Sequence, residues 1–170
     1  MNATTVHVRP ALLSDTRAIA EVHIQSWRET YTGVIPDTFM DDDALEQRNR
    51  MWEAILSLDP PPGEIVVAER SGQVVGFAFA GASTHPDAHK GFEPVRGVHL
   101  YSIYVLRSEQ RDGTGTALLD AALGDSPAQR WVLKSNQQAR SFYERHGFHP
   151  DGAEFADPDL DGVVEIRMVR

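Results

Sequence analysis

Six consecutive residues near the middle of the chain, Gln110-Arg111-Asp112-Gly113-Thr114-Gly115, carry the clearest chemical signal. The run before them, residues 98–105, is rich in Val, Ile, Leu and Tyr and predicts a β-strand. Ala117, Leu118 and Leu119 then begin a helical pattern. Glycines let backbone N–H groups approach a ligand closely, and the first turn of a helix carries a partial positive charge. The segment therefore predicts a binding place for the phosphate groups of a cofactor.

Two common phosphate-binding motifs are excluded at this loop. No Gly-Lys-Ser/Thr follows the glycines, as a P-loop requires. A dinucleotide-binding fold needs a third glycine where this chain has Leu118, and it places the loop after its first strand, whereas about a hundred residues come before this one. A plain strand-turn-helix connection that binds nothing remains the alternative.

A second chemical pattern begins some fifteen residues further along the chain. Trp131-Val132-Leu133 predicts a short buried strand. Ser135 with Gln138 three places later is a capping-box pattern and predicts a helix that begins at Ser135. Apolar and aromatic residues recur at helical spacing after it, and Gly147 stands where a left-handed helix end is expected.

The two patterns resemble the cofactor-binding half of the GNAT superfamily of N-acetyltransferases, in the same order and at a similar separation. Gln110-x-x-Gly113-x-Gly115 resembles the pyrophosphate loop of that superfamily. Asn136-x-x-Ala139-x-x-Phe142-Tyr143-x-x-x-Gly147-Phe148 resembles its cofactor-binding helix. The resemblance implies an α/β protein with a mixed sheet, splayed central strands and helices on both faces. It extends loosely over the whole chain, which predicts a single domain, 1–170.

The same resemblance implies acetyl-coenzyme A as the cofactor. Backbone groups of the strand residues Ile103, Tyr104 and Val105 would pair with the pantetheine amides, and Asn136 would contact the cofactor arm. The pyrophosphate would be held by a set of loop residues: Gln110, Arg111, Asp112, Gly113, Thr114, Gly115 and Thr116.

Two residues are candidates for the chemical step. The resemblance implies that the Tyr143 hydroxyl points at the thioester sulfur, where it would protonate the departing thiolate; a core aromatic residue is the alternative. His99 stands where related sequences often have a glutamate that acts as a base. A histidine pKa near ~6.5 suits that task. The alternative for His99 is a half-buried histidine bonded to a backbone carbonyl.

The acceptor side is less defined by the sequence. Trp27 and Tyr31 flank the connection between the first two helices, which walls the acceptor site in the resembled family. Tyr101 shares a strand face with His99. Glu93 lies in a long polar loop, 81–97, and would meet a cationic amine. The alternatives are core aromatics and a solvated loop carboxylate.

Composition excludes several other functions. The net charge of −9 disfavours nucleic acid binding, which rewards a basic face. No run of eighteen apolar residues predicts a membrane span, and the first ten residues do not read as a signal peptide, so we expect a cytoplasmic protein. His85 and His89 are four residues apart, but Pro86 argues against a helix there, and no further ligands complete a metal site. The absence of cysteine excludes a Cys-based acyl-enzyme.

The elements predicted to position these residues follow the order β-α-α-β-β-β-α-β-α-β-β. A first strand is predicted at Val6–Arg9 and a hairpin with strands Glu64–Arg70 and Gln73–Ala80, joined by Ser71-Gly72. In the last strand Val164, Ile166 and Met168 alternate with Glu165 and Arg167, which predicts one apolar and one polar face.

The sequence therefore predicts an N-acetyltransferase that moves an acetyl group from acetyl-coenzyme A to a primary amine of a small molecule, or to a protein N-terminus, by direct attack in a ternary complex. Two alternatives from other classes stay open: a non-catalytic acyl-coenzyme A sensor and a mononucleotide-binding protein. A homodimer is common among enzymes of the resembled superfamily.

Overall fold

The computed structural model describes residues 5–170. The strands are β1 His7–Pro10, β2 Gly63–Arg70, β3 Gln73–Ala82, β4 Val98–Val105, β5 Gln129–Leu133, β6 His149–Asp157 and β7 Val163–Val169. The helices are α1 Thr16–Tyr31, α2 Asp42–Leu56, α3 Pro86–His89, α4 Thr114–Leu123 and α5 Gln137–Arg145. Apart from the short helix α3, this is the element order that the sequence predicts.

The strands form one seven-stranded sheet in the order β1-β2-β3-β4-β5-β7-β6. Strand β4 lies parallel to β5, with His99 opposite Gln129. Strand β7 is antiparallel to β5 and in register with it at five positions, from Gln129 opposite Val169 to Leu133 opposite Glu165. The predicted mixed α/β sheet is confirmed.

The chain divides into two compact units, which are described separately. The first unit is the chain up to Phe79 together with Ser102–Gly124, and the second is Ala80–Tyr101 together with Asp125–Arg170. The core of the first unit is made by the apolar stripes of two helices and two strands, and includes Ile19, Val22, Trp52, Val67 and Phe77. Burial of each such side chain contributes about 1.5–3 kcal/mol to folding.

Two features of strand β3 fix the sheet in the first unit. The turn before it, Ser71-Gly72, has positive φ at both residues, 52° and 77°, as a two-residue hairpin of type I′ requires. The predicted hairpin is therefore confirmed. Gly76 allows a close approach, because a Cβ there would lie 2.9 Å from the Tyr104 carbonyl oxygen. Leu106 N–H donates to the Val75 carbonyl over 3.0 Å just beyond this contact.

The core of the second unit is organised around β5, all of whose residues are buried. Strand β7 departs from the predicted alternation. Ile166 and Met168 are buried as expected, but Arg167 is buried as well, with 6% of its surface exposed. Its guanidinium lies 2.6 Å from the Asp151 carboxylate and donates to the Glu93 carbonyl at 2.9 Å. The prediction of a polar outer face was wrong here, since an ion pair and a carbonyl stabilise the buried cation.

Two predictions about helix starts were also wrong. Helix α5 is capped by Asn136, not Ser135: its side-chain oxygen accepts a hydrogen bond from Ala139 N–H at 3.1 Å. Helix α3 forms although it contains Pro86. Proline is tolerated in the first turn because the missing N–H would be unpaired there, and His85 caps the helix by accepting from Asp87 N–H at 3.2 Å. Gly147 has the predicted positive φ, 87°.

Candidate active site

The loop between β4 and α4, in the first unit, has the backbone that the sequence predicts for anion binding. Gly113 is the N-cap of α4 and has φ of 89°, a conformation that favours glycine. Arg111 also has positive φ, 70°. Alternating left-handed residues turn successive N–H groups toward one side, and the helix N-terminus adds its dipole. The cofactor-loop prediction therefore has a suitable backbone.

The Asp112 side chain stabilises this loop through hydrogen bonds and an ion pair. Its Oδ1 accepts from the Thr114 hydroxyl at 2.6 Å and from Thr114 N–H at 3.1 Å. These hydrogen bonds, of which the hydroxyl contributes most, lower the pKa of Asp112. Its other oxygen pairs with Arg70, whose guanidinium lies 2.6 Å from the Glu109 carboxylate as well. One amide predicted to face the pyrophosphate, Thr114 N–H, is thus used within the loop.

Further contacts fix the start of the loop on its own unit. The Gln110 side chain donates to the Val105 carbonyl at 2.9 Å, at the end of β4. Arg107 N–H donates to the Glu29 carboxylate at 2.8 Å, and the Arg107 guanidinium donates to the Glu29 carbonyl. The loop is therefore attached to β4 and α1 as well as to Arg70 at the end of β2.

The aromatic candidates of the first unit lie on α1 and β4. Trp27 and Tyr31 are one helical turn apart, half-buried, with ring centroids 5.3 Å apart and nearly perpendicular planes. The Tyr104 ring stacks on His23 with centroids 5.1 Å apart, so its side chain belongs to the core. His23 accepts from Trp52 Nε1 at 3.2 Å, and burial, with a smaller contribution from the Arg48 charge, lowers its pKa to about 3.

Tyr143, in the second unit, is buried on α5 and contacts an arginine of β5. The Arg130 guanidinium lies 4.3 Å from the centroid of the Tyr143 ring, and its Nη1 donates to the phenolic oxygen. Both residues are buried, with 4% of Tyr143 and 8% of Arg130 exposed. A cation therefore faces the oxygen that the sequence assigns to proton transfer.

His99, on β4, is buried rather than half-buried, with 3% of its surface exposed. Gln129 Nε2 donates to its Nδ1 at 3.2 Å, and the Tyr101 ring lies 4.6 Å away. Burial, followed by the charge of Arg130, lowers the pKa of His99 to about 3. A general base works best with a pKa near the working pH. The pKa near 6.5 that made His99 attractive as a base is therefore not retained, and its catalytic role stays a prediction.

Gln129 attaches the long loop after β3 to the sheet. Its Oε1 accepts from Val95 N–H at 2.8 Å and from Arg96 N–H at 3.2 Å, while its Nε2 donates to the Ala88 carbonyl at 3.1 Å. This loop carries Glu93, whose side chain is exposed. The Gln129 amide is fully buried, and its three hydrogen bonds to the backbone of this loop fix the loop to β5.

Two other predicted residues of the second unit are partly committed to the fold. The Tyr101 hydroxyl donates to the Ala82 carbonyl at 2.5 Å, and burial raises the pKa of Tyr101. Asn136 uses its side-chain oxygen as the cap of α5, which leaves its NH₂ group as the donor for the predicted contact with the cofactor arm.

The predicted residues are thus divided between the units. The first unit contains Trp27, Tyr31, Ile103, Tyr104, Val105 and residues 110–116; the second contains Glu93, His99, Tyr101, Asn136 and Tyr143. Sequence reasoning missed Arg70, Gln129 and Arg130. The signal for the last two was available, since Gln129-Arg130 opens a strand, QRWVL, that is otherwise apolar.

Two kinds of feature are absent from the described part of the chain. Among residues 5–170, no group of three or more His, Asp or Glu side chains is arranged to hold a metal ion. No helix in this range is long and apolar enough to cross a membrane.

Comparison with known proteins gives consistent matches. A family model described as an acetyltransferase (GNAT) domain matches residues 61–150. A probable N-acetyltransferase of Mycobacterium tuberculosis is 29% identical over 170 residues, which cover 96% of this chain and 91% of that protein. YuaI of Bacillus subtilis, described as an uncharacterized N-acetyltransferase, is 33% identical over 138 residues, which cover 77% of this chain and 73% of that protein.

Solved structures share the fold. The PaiA N-acetyltransferase from Thermoplasma acidophilum, in complex with coenzyme A, superposes with a TM-score of 0.67 at 17% identity and covers 98% of both chains. A structure from Corynebacterium glutamicum, described as histone acetyltransferase HPA2 and related acetyltransferase, gives a TM-score of 0.69 at 25% identity, with 97% of this chain and 95% of that chain covered.

Proposed function

The chain belongs to the GNAT family of acetyltransferases, and from this premise we propose that it transfers the acetyl group of acetyl-coenzyme A to a primary amine of a small molecule by direct attack in a ternary complex. The enzyme is an acetyltransferase, and acetyl-coenzyme A supplies an activated thioester. The observation that carries the proposal is the buried Tyr143, whose phenolic oxygen accepts a hydrogen bond from the Arg130 cation.

The loop at 110–116 is proposed to hold the pyrophosphate. Support comes from its left-handed residues Arg111 and Gly113, and from the N-terminus of α4, where Thr114, Gly115 and Thr116 lie in the first turn. Because Asp112 is paired with Arg70 and hydrogen-bonded to Thr114, its charge is compensated within the loop. The loop therefore fits an anionic ligand despite its own carboxylate.

Tyr143 is proposed as the group that protonates the departing thiolate. A protonated phenol can act as a general acid and give its proton to the departing thiolate. The residue is buried, with 4% of its surface exposed, and it lies on α5. A positioned acid of this kind contributes roughly 10²–10⁴-fold to a reaction.

The amine must lose a proton before it attacks. At pH 7 an alkyl amine with a pKa near ~10.4 is unprotonated in only about 1 of 2,500 molecules, a penalty of about 4.6 kcal/mol. We propose that solvent takes this proton, with His99 as the alternative base, because the pKa of His99 is lowered to about 3 and its Nδ1 accepts from Gln129. If solvent takes the proton, His99→Gln is expected to leave kcat within about threefold, whereas removal of a general base would lower kcat roughly 10²–10⁴-fold.

Trp27 and Tyr31 on α1 stay predicted acceptor contacts of the first unit, and Glu93 and Tyr101 stay predicted acceptor contacts of the second. The exposed Glu93 carboxylate would attract a cationic amine, in keeping with the net charge of −9. A protein N-terminus is the other acceptor class. Cytoplasmic location, a single domain and a homodimer stay predictions.

The experiment is a thiol-release assay with acetyl-coenzyme A and a panel of amines: polyamines, amino sugars, amino acids and a peptide with a free N-terminus. We expect amine-dependent release with one small-molecule class, and a loss of about 100-fold or more in Tyr143→Phe. Calorimetry with coenzyme A is the control for binding. Release no faster than the amine-free rate across the panel would overturn the proposal, and release with the peptide alone would move it to protein N-termini.

A further inference from the structure

Arg130 is a buried cation without a buried anion. Only 8% of its surface is exposed, and none of the carboxylates among residues 5–170 forms an ion pair with it. Its Nε donates to the Trp131 carbonyl at 2.9 Å, and its Nη1 donates to the Tyr143 oxygen. The other buried arginine of this unit, Arg167, has the carboxylate of Asp151 at 2.6 Å.

A charge in this position is costly to maintain. Removing a guanidinium from water carries a penalty that an opposite charge normally offsets. Arg130 has instead a carbonyl dipole and the face of the Tyr143 ring. Such an arrangement becomes more favourable when negative charge appears next to the guanidinium, and the nearest atom on which it can appear is the Tyr143 oxygen.

The geometry also orients the phenol. Because Nη1 donates to the oxygen, one of its lone pairs is occupied, and the hydroxyl proton must point away from Arg130. The guanidinium lies over the ring at 4.3 Å, and the Phe148 ring contacts it edge-on with centroids 5.8 Å apart. The ring is therefore held between a cation and an aromatic edge, with its proton directed to a side that Arg130 does not occupy.

We propose that Arg130 is a positioning residue of the acetyl transfer: it aims the Tyr143 proton and stabilises the phenolate left when that proton is given away. The inference rests on the proposed function. In the step itself the amine nitrogen forms a bond to the acetyl carbon and the carbon–sulfur bond breaks. The departing sulfur takes the Tyr143 proton, the nitrogen releases its proton to solvent, and solvent returns a proton to the phenolate.

Other charged or titratable groups lie near Arg130 and Tyr143. The Arg170 guanidinium, just after β7, lies 5.2 Å from the Phe148 ring centroid. Glu144 lies on α5, and His146 is the C-cap of that helix. Burial and the Arg130 charge lower the pKa of His99 on β4 to about 3, so His99 is neutral near pH 7. Arg130 donates a hydrogen bond to the Tyr143 oxygen itself.

The test is a double-mutant cycle with steady-state kinetics. Arg130→Met is expected to lower kcat roughly 10- to 100-fold, as loss of a charge-assisted hydrogen bond would, with KM for acetyl-coenzyme A within about twofold. In a Tyr143→Phe background the same substitution is expected to change kcat by less than about twofold, because the group through which it acts is gone. Arg130→Lys, which keeps the charge, is expected to recover part of the loss.

A second readout does not depend on turnover. The ionisation of Tyr143 is followed by ultraviolet difference titration, with Tyr143→Phe identifying its contribution among the four tyrosines. Arg130→Met is expected to raise the pH of this ionisation, and the alkaline limb of the kcat–pH profile is expected to move in the same direction. The matched control is Arg167→Met, which removes a buried arginine of the same unit: it should lower the melting temperature and leave the Tyr143 ionisation in place.

The outcomes separate the two proposals. If wild-type protein releases no thiol with any amine, the proposed function fails. If it is active but Arg130→Met and Tyr143→Phe reduce kcat independently, or the Tyr143 ionisation does not move, the inference about Arg130 is overturned. If Arg130→Met does not fold, Arg130→Lys takes its place in the cycle, where a smaller loss and the same non-additivity are expected.

Discussion

Arg70 in the first unit and Arg130 in the second both lie beside residues proposed to act on the cofactor, and their surroundings are opposite. Arg70 is partly exposed and pairs with the carboxylates of Glu109 and Asp112. Arg130 is buried and is bonded to a carbonyl and a phenol, with no carboxylate among residues 5–170 paired to it. One arginine is neutralised by the fold, and the other keeps its positive charge available.

The difference separates two tasks. A neutralised arginine can hold a loop in shape, because its field is cancelled by its partners and the loop N–H groups meet the ligand. An arginine without a counterion raises the energy of the resting site. It lowers the energy of a state in which negative charge has developed beside it, which is how electrostatic catalysis works. Changes around Arg70 are therefore expected to alter KM, and changes around Arg130 to alter kcat.

Acidification should have the largest effect and should act on both units alike. His23 and His99, one in each unit, have pKa values lowered to about 3, first by burial and then by a neighbouring arginine. In the unfolded chain a histidine titrates near ~6.5. As pH falls from 6.5 toward 3, the unfolded state takes up protons that the folded state does not. The free energy of unfolding is therefore highest above pH 6.5. It falls below that pH by up to about 1.4 kcal/mol per pH unit for each histidine.

Denaturant unfolding between about pH 7.5 and about pH 5 measures the slope of the free energy of unfolding against pH. His23→Gln and His99→Gln should each flatten it, and His7→Gln, at an exposed position, should leave it unchanged. A flatter slope in only one of the two buried variants would show that the units differ in their histidines as well as in their arginines.

Gly113→Ala is expected to raise KM for acetyl-coenzyme A on the order of tenfold, about the loss of one hydrogen bond to a charged group. Gly113 has φ of 89° and open space around a new Cβ, so the substitution strains the backbone without a clash. Gly72→Ala in the β2–β3 turn is the matched control: its φ is 77°, with the same open space. Both should lose about 1 kcal/mol of stability.

Steady-state kinetics and denaturant unfolding on the two glycine variants show whether KM depends on the loop at Gly113 or on backbone strain in general. An equal rise of KM in Gly72→Ala would mean that strain anywhere in the first unit weakens cofactor binding, and the loop would lose its special role.

Arg70→Gln should have the smallest effect, a rise of KM of about threefold with kcat unchanged, because partly exposed ion pairs contribute up to about 1 kcal/mol. Arg17→Gln, which removes exposed pairs to Glu21 and Glu46, is the matched control and should leave both constants unchanged. A fall in kcat for Arg70→Gln, comparable with that of Arg130→Met, would remove the distinction between the two arginines.

The local elements were the most predictable part of the fold. The hairpin at Ser71-Gly72, the left-handed Gly147 and the strand-loop-helix unit at 98–123 depend on neighbours in sequence, and each is present. Predictions failed where two local signals competed. Ser135 and Asn136 are both residue types that favour the N-cap position. Because α5 begins at Gln137, the residue that occupies this position is Asn136. Pro86 predicts that no helix forms at 85–89, but α3 begins at this proline because the first turn of a helix accepts it.

The candidate site was predictable to the extent that it is a motif. The loop and the helix of Tyr143 could be located because their residue types and spacing are read along one stretch of chain. Arg130, Arg70 and Gln129 could not be assigned a role, because each acts on a residue distant in sequence: Arg130 on Tyr143, Arg70 on Asp112, and Gln129 on His99 and the loop before it.

The sequence by itself determined which backbone turns form and which residue types occupy them, since both depend on a few adjacent dihedral angles and side chains. Tertiary structure decided the electrostatics. Burial removed the basicity expected of His99, an ion pair neutralised Arg167 inside the fold, and Arg130 was placed against a phenol without a counterion. The physical reason is that the energy of a charge depends on the water and the opposite charges around it, and those are set by the packing of elements that the chain does not join directly.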